Sequence, residues 1–537
     1  MKALLLDATT TKILSMVYSQ TQILEQEVYL VEQIAGGKSH EAMPHLKAAV
    51  FIQPTFDNLE ILKEELRKPK FAEYHIFFSN IVPDDMLSAL ARADEFELVK
   101  QVNEYYADYM AINEDFYQLS ADNSLCLSLS TRSMETKGIF ERNVQGILSS
   151  LLASKRRPSQ IRYQAASNLA SRIAAEVQSK VMGNKMFEFP RQEGPMLLIL
   201  DRRDDPITPL LTQWTYQAMV HELLGLKHNR VILKGVPNIQ KDLEEIVLSC
   251  SQDKFFAKHR YDNFGDLGAA VKELLDEYQK SSKSNANITT IKDMQAFMDN
   301  YPEFRAKSIN ASKHVAVMSR LGLLIDECQL LDISSLEQEI ACSNDHSSHK
   351  KELLEKIANP RIQPLDKLRL ALLYVIRYEG YNEVREIKSR LMEQKLSSAQ
   401  VSQLDSILEY AGESKRAPGL FTQGSIVTKF SKVFAQSVQV ENVYTQHQPI
   451  LYGILDSIIK GKMKDSSFPQ VSPSASNRPS EVFVFIVGGT TYEEAAKVAE
   501  FNKSNPSMRV ILGGSCVHNS TTFMHEIAKN FGNFASV

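Results

Sequence analysis

Cysteine is scarce and scattered: Cys126, Cys250, Cys328, Cys342 and Cys516 are spread over 537 positions. Their odd number and wide separation offer neither a disulfide framework nor a CxxC zinc site. A reducing compartment is the simpler setting. A cationic excess is also missing. Lys and Arg total 61 against 65 Asp and Glu, a net charge of −4. Nucleic acid, which needs a strongly basic face, is therefore not expected as a partner. No apolar run approaches the roughly 20 residues that cross a bilayer. The longest, such as MLLIL (196–200) and LALLYVI (370–376), suit buried elements. The start, MKALLLDATT, reads as a strand rather than a signal peptide, because Asp7 ends its apolar stretch. Together these absences predict a cytosolic chain that meets membranes only through partners.

What is present is ordinary globular composition, 43% hydrophobic and 23% charged. The length calls for about two to four domains. Strand and helix signals alternate over 1–120. ALLLD (3–7), KILSMVY (12–18), AAVFIQP (48–54) and YHIFF (74–78) read as strands, and FDNLEILKEELRK (56–68) and PDDMLSALARA (83–93) as helices. Residues 139–182 read as two helices around the break KRRPSQ, and LCLSLS (125–130) and MLLIL (196–200) as strands. Thr208-Pro209 looks like an N-cap with a first-turn proline. In the helix beyond, Tyr216, Met219, Val220, Leu223 and Leu224 form one apolar stripe. Helices then dominate to about 465. EVFVFIVGG (481–489) and MRVILGG (508–514) return to strands, each followed by a helix.

Two terminal β-α units are too few for a sheet of their own. They need MLLIL as a neighbour. The expected fold class is α/β plus a large, mainly helical insertion. The first domain covers 1–120. The second is a discontinuous parallel α/β domain, 121–204 plus 470–537, and the insertion, 205–469, is the third. DDPITP marks one joint, and the Ser/Pro-rich stretch 464–481 the other.

The chemical candidates are weak. Asp201, Asp204 and Asp205 follow a strand's carboxyl end, where α/β sheets bind ligands, and carboxylates there suit a divalent cation or acid–base work. Arg202 and Arg203 sit among them, so a local ion-pair network is equally natural. Gly488-Gly489 and Gly513-Gly514 follow strands but complete neither phosphate-binding fingerprint. Cys342, His346 and His349 match no closed metal spacing. No catalytic constellation, metal site or cofactor site is expected, and a binding platform is the favoured class. The rival is a metal- or nucleotide-dependent α/β hydrolase built on Asp201, Asp204 and the Gly-Gly turns.

The segment LLILDRRDDPITPLLTQWTYQAMVHELLGL (197–226) closely resembles the hallmark of the Sec/Munc (SM) family, which assists assembly of SNARE complexes in vesicle fusion. KALLLDATTTKILSMVYSQTQILEQEVYLVEQI (2–34), EIACSNDHSS (339–348), VENVYTQHQP (440–449) and FIVGGTTYEEA (485–495) resemble one branch of it. The resemblance implies a three-domain arch whose second domain is discontinuous. It implies a non-enzymatic protein without cofactors. It would bind a syntaxin-type Qa-SNARE through both its N-terminal peptide and its helical core, and also the assembled SNARE complex and an R-SNARE. The implied place is peripheral, on endosome, trans-Golgi network and vesicle membranes, in sorting to the vacuole or lysosome.

Three sets of residues follow from the resemblance. Tyr109, Phe116 and Leu119, within 102–120, would line the pocket for the syntaxin peptide, the alternative being that they fill the domain's core. A helical hairpin around 290–345 would hinge at Pro302 and present an R-SNARE groove through Val315, Met318 and Leu321, the alternative being an ordinary helix start at Pro302. Asp201, Arg202 and Asp204 would hold the interdomain joint, with Trp214 packing the helix after it.

Overall fold

The computed structural model describes the chain except residues 35–41, 130–132, 191–193, 237–238, 287–290, 419, 422–443, 445, 473–477 and 533–537, and the side chains of helical residues 280–286, 291–304 and 306. It divides into two compact units. One is Met1–Asp201 with Lys464–Gly489 and Asn505–Cys516. The other is Arg202–Met463 with Thr490–Ser504 and Val517–Val537.

The first unit opens with β1 (Lys2–Leu6), α1 (Ala8–Val17), α2 (Gln20–Glu25), β2 (Val28–Gln33), β3 (Met43–Ile52), α3 (Phe56–Arg67), β4 (Phe71–Phe78), α4 (Asp84–Ala93) and β5 (Val99–Glu104). The five strands form a parallel sheet in the order β2-β1-β3-β4-β5. Residues 12–18, expected as a strand, are helical instead. Asp7 accepts from the amides of Thr9 and Thr10, and the Thr10 hydroxyl returns a bond to the Asp7 amide, a complete capping box. Thr10, Ile13 and Met16 are then buried at a spacing of three, a helix period. One sheet face carries Ala3, Leu5, Ala48, Val50, Tyr74 and Ile76 and packs on Leu59, Leu62 and Leu66 of α3. Lys47, Glu73, His75 and Gln101 alternate with these residues onto the other face.

The chain continues through β6 (Met110–Asn113), β7 (Phe116–Gln118), α5 (Met134–Ala153), β8 (Gln160–Tyr163), α6 (Asn168–Val181) and β9 (Met196–Asp201). The expected strand at 125–130 is a 3-10 turn over Ser124–Ser128. Asn123 enters it with φ 65° and the Ser124 hydroxyl bonds the Ala121 carbonyl, so the chain coils before it can extend. β8 emerges from the KRRPSQ break. Ser167 caps α6, whose Leu169, Ile173 and Val177 face the core.

In the second unit the helix after the joint starts later than Thr208-Pro209 suggests. Asp205 accepts from both the amide and the hydroxyl of Thr208, closing a 3-10 turn over Thr208–Leu210. α7 (Tyr216–Met219) begins only after Thr215 and runs on as a π-turn to Leu224. A small antiparallel hairpin pairs β10 (Arg230–Ile232) with β11 (Glu245–Val247). Helices follow: α8 (Lys254–His259), α9 (Phe264–Ala286), α10 (Ile291–Glu327), α11 (Leu330–Cys342), α12 (His346–Ala358), α13 (Pro364–Arg377), α14 (Val384–Glu393), α15 (Ser398–Val401), α16 (Gln403–Ala411) and α17 (Ile450–Ile459).

β12 (Glu481–Val487) and β13 (Arg509–Gly514) return to the first unit and complete a six-stranded sheet, β6-β7-β13-β12-β9-β8. All its pairs are parallel except β6 with β7. β9 is buried at all six positions and β12 at six of seven. Unbroken apolar runs are what a parallel sheet covered on both faces requires. α18 (Tyr492–Ser504) and α19 (Ser520–Phe531) follow these two strands and belong to the second unit. There Phe501 of α18 meets Tyr452 of α17, and Phe523 and Phe531 of α19 meet Tyr410 of α16. The fold is therefore α/β with parallel sheets and a large helical insertion.

Candidate functional site

Each acid of the charged turn after β9 accepts at least one internal hydrogen bond. Asp201 accepts from the Ser167 hydroxyl at 2.6 Å. Asp204 accepts from the Ala417 amide at 3.0 Å, and Asp205 from Thr208 and the Ile450 amide. Arg202, 2% exposed, donates two parallel 2.8 Å bonds to Glu494 and lies 3.5 Å from Asp205. Burial pushes the Asp205 carboxyl up, but Arg202, His447 and Thr208 outweigh it and hold the group below the usual range. These carboxylates are spent on backbone amides, hydroxyls and one arginine, which leaves no open set for a cation. The chain passes from one compact unit to the other between Asp201 and Arg202. Trp214 donates from Nε1 to the Ser334 hydroxyl at 2.8 Å and lies against Tyr444. The Gly-Gly turn at 488–489 takes positive φ at both positions, and the Gly488 amide is bound by Ser515 Oγ. It is a tight turn rather than a phosphate cradle.

The pocket expected at Tyr109, Phe116 and Leu119 needs correction. Phe116 and Leu119 are 2% and 1% exposed. β7 is paired along both edges, with β6 and β13, and its Phe116 and Tyr117 are buried. Leu119 and Tyr117 are core members, and Tyr109 packs edge-on against Tyr117. Leu119 lies in the second sheet's core with half-buried Tyr109 packed against that core, while Phe116 is buried on the alternate side of β7. Exposed apolar side chains of this region lie on the first sheet's edge instead: Val102 and Tyr105 are 40% and 63% exposed, at the end of β5. Tyr105 leans edge-on against Phe51 of the half-covered face, where Glu73 bonds both Lys47 and His75.

The region expected as a hairpin, 290–345, holds α10 and α11, and α9, which packs on α10, lies before it. α10 runs unbroken through Pro302, so the hinge break expected there, and the alternative helix start, are both absent from this state; the Pro302 side chain lies outside the described residues. Leu321 is fully buried, in one stripe with Ala311, Val317 and Ile325, and so lines no groove. Val315 and Met318 are half-buried on the flank of that stripe. The outward face carries a different set. Ile309 and Leu323 are 44% and 52% exposed, with Ala316 midway between them. Their spacing of seven is the period of one row of a coiled-coil seam, while the intermediate positions, Ser312 and Ser319, are polar. Sequence reading missed this seam, although the heptad was visible in it.

Among the described residues, Cys342, His346 and His349 do not bring their ligand atoms together. His346 stacks on Tyr381 and bonds Glu383, while His349 bonds Tyr378 and Ser343. Burial pushes the Cys342 thiol up to about 12. Elsewhere, burial lowers the pKa of His221 from its ordinary 6.5 to about 4. A depressed histidine contributes stability that is whole above about 6.5 and is lost as pH falls toward and through about 4. We expect His221→Phe, which keeps the ring against Tyr492, to flatten the fall in melting temperature between pH 6.5 and 4.5. Superimposable pH profiles for the two proteins would show that His221 is not the titrating group.

Comparison with known proteins agrees with these features. Residues 2–526 match the Sec1 family. The chain is 42% identical to vacuolar protein sorting-associated protein 45 of Homo sapiens over 534 residues, covering 98% of this chain and 92% of that protein. It is 34% identical to the Saccharomyces cerevisiae protein of the same name over 545 residues, covering 98% and 94%. Among solved structures it superposes on the SM protein Vps45 in complex with the Qa SNARE Tlg2 (1-310), with a TM-score of 0.90 and 42% identity, over 100% of this chain and 95% of that one. The Unc18–syntaxin 1 complex from Monosiga brevicollis shares the fold at TM-score 0.80 and 20% identity, over 98% and 95%. On sequence and structure alike, this chain belongs to the Sec1 family.

Proposed function

We propose that this chain is an SM-type chaperone of SNARE assembly that binds a syntaxin-type Qa-SNARE in traffic at the endosome and trans-Golgi network. The observation that carries this reading is the TM-score of 0.90, over the whole chain, to an SM protein solved with its Qa SNARE. The action is stoichiometric and non-enzymatic. The carboxylates after β9 support that, since each is committed to internal donors. Membrane attachment is through partners. Among the described residues no helix is long and apolar enough to cross a bilayer. The working division is 1–120, 121–204 with 470–537, and 205–469.

Two surfaces suit a SNARE. The β5 edge with Val102 and Tyr105 offers unpaired backbone groups and exposed apolar side chains for an extended N-terminal peptide. The Ile309, Ala316, Leu323 seam of α10 matches the heptad spacing of a SNARE helix. Two weak contacts on one ligand raise each other's effective concentration.

The test is capture of endosomal and Golgi syntaxins, with and without their first residues. Tyr105→Arg is expected to weaken capture of the full syntaxin about tenfold, the scale of one apolar anchor, and to have no effect once the N-terminal residues are removed. Leu323→Arg should weaken both forms. Both positions are exposed, so melting temperatures stay near wild type. A chain that retains no syntaxin in either form is not a SNARE chaperone.

A further inference from the structure

Buried arginines in this chain come with carboxylates. Arg202 has Glu494 and Asp205, Arg369 has Glu337 and Asp366, and Arg162 has Asp465. Arg377, the last residue of α13, is different. It is half-buried, and no ion pair joins it to a carboxylate among the described residues. Its Nη2 donates to the Ser343 carbonyl at 2.6 Å, its guanidinium lies 4.3 Å from the Phe421 ring centroid, and its Nε has no acceptor. Burial pulls its pKa down, with only Tyr378 and Cys342 acting against that. The carbonyl end of α13 favours a cation there but does not fill a guanidinium fork.

Arg377 lines a cavity of about 230 Å³ together with Arg416, Glu379, Glu413, Phe421 and Asn344. Glu379 is turned to other partners and makes no ion pair with Arg377. One of its oxygens holds Arg416 at 2.5 Å and the other takes the Glu413 amide at 2.7 Å. Two guanidiniums and two carboxylates thus line the cavity; Arg416 and Glu379 pair, and Arg377 makes no ion pair among the described residues.

We propose that this cavity is a carboxylate-binding site in which Arg377 receives a single monoanionic carboxylate, from an acidic side chain of a protein segment or from a small organic acid. A guanidinium and a carboxylate are planar and match as a two-bond pair. Glu379 and Glu413 nearby set the charge class: they tolerate one negative charge and oppose the two of a phosphate. The volume suits a carboxylate with a few methylenes. The assignment stands whether or not the chain binds a Qa-SNARE.

The test is calorimetric titration of the full chain with N-acetylglutamate α-amide, which has one free side-chain carboxylate, against its neutral counterpart N-acetylglutamine amide. Inorganic phosphate is the second comparison, all at matched ionic strength. Expected are saturable millimolar binding of the acid, none of the amide, and weaker binding of phosphate. Arg377→Gln should weaken the acid at least tenfold, while Arg377→Lys, which keeps the charge, falls between that variant and wild type. Melting curves confirm that both variants are folded. A blocked pentapeptide with one central glutamate separates the sources. Binding at least tenfold tighter than the free probe assigns a protein segment, and equal affinity assigns a small acid. Equal binding of acid and amide, unchanged affinity in Arg377→Gln, tighter binding of phosphate, or no saturable binding would each overturn the site.

Discussion

Arg202→Met is expected to cost the second unit about 3–5 kcal/mol, the scale seen when one partner of a buried ion pair is removed. Arg202 and Glu494 are 2% and 1% exposed and share two 2.8 Å bonds across 292 residues of sequence. Methionine fills much of the volume but leaves Glu494 Oε1 without its donor. The other oxygen, Oε2, keeps the amide and hydroxyl of Thr491, and Asp205 keeps Thr208 and Ile450. The damage therefore comes from stranded charge rather than from a collapsed network: Glu494 loses its paired fork, and Asp205 loses a nearby cation. That makes it reversible in part by a second change. Arg202→Met combined with Glu494→Gln removes the charge stranded at Glu494 and retains an amide oxygen for Thr491, and should recover at least half of the loss. Arg202→Lys should fall between, because an ammonium cannot form the paired fork. The readout is the midpoint of the earliest thermal transition, together with hydrogen exchange in α18. Equal midpoints for the single and double variants would mean that Arg202 acts by packing alone.

The contrast between this pair and its sequence neighbourhood shows what a linear reading can reach. The acids and arginines of 201–205 were visible as a network in the making, because opposite charges alternate within five residues. Glu494 was invisible as their partner, since nothing local ties it to Arg202. Strands buried on both faces were legible: MLLIL and EVFVFIV are unbroken apolar runs, and no other context explains them. The edge strand β5, VKQVNE, was not, because an exposed strand needs no apolar pattern. Residues 12–18 are a short apolar run that reads as a strand, yet Asp7 and Thr10 cap a helix there, and a cap decides more than apolar content. On α10 the period of seven in Ile309, Ala316 and Leu323 was present, but the buried stripe through Leu321 has the same apolar content. Only exposure tells a seam from a core face. The family resemblance pointed to 102–120 as the region of an expected peptide pocket; it did not say which side chains of that region are exposed.

Leu119→Arg should therefore unfold the second sheet rather than block a docking peptide. The Leu119 amide donates to the Gly514 carbonyl, its carbonyl accepts from Arg142 Nη2, and its side chain packs on Gly146 of α5. The fit is tight enough that a Cβ at 146 would lie 2.3 Å from a Leu119 methyl. An arginine here puts a charge into the apolar cluster of Val144, Ile147, Leu148 and Phe485, and the nearby Asp108 is already paired with Arg142. We expect little or no soluble, folded protein. The milder Leu119→Ala tests the same point without that ambiguity. It should cost about 2–5 kcal/mol, as for a buried leucine whose cavity cannot close, while the folded fraction captures a syntaxin peptide as wild type does. Tyr105→Arg should show the reverse, an ordinary melting temperature with capture through that peptide reduced. If Leu119→Ala instead left the melting temperature intact and abolished peptide capture, the core assignment would be wrong and the β5 edge would lose its claim to the peptide.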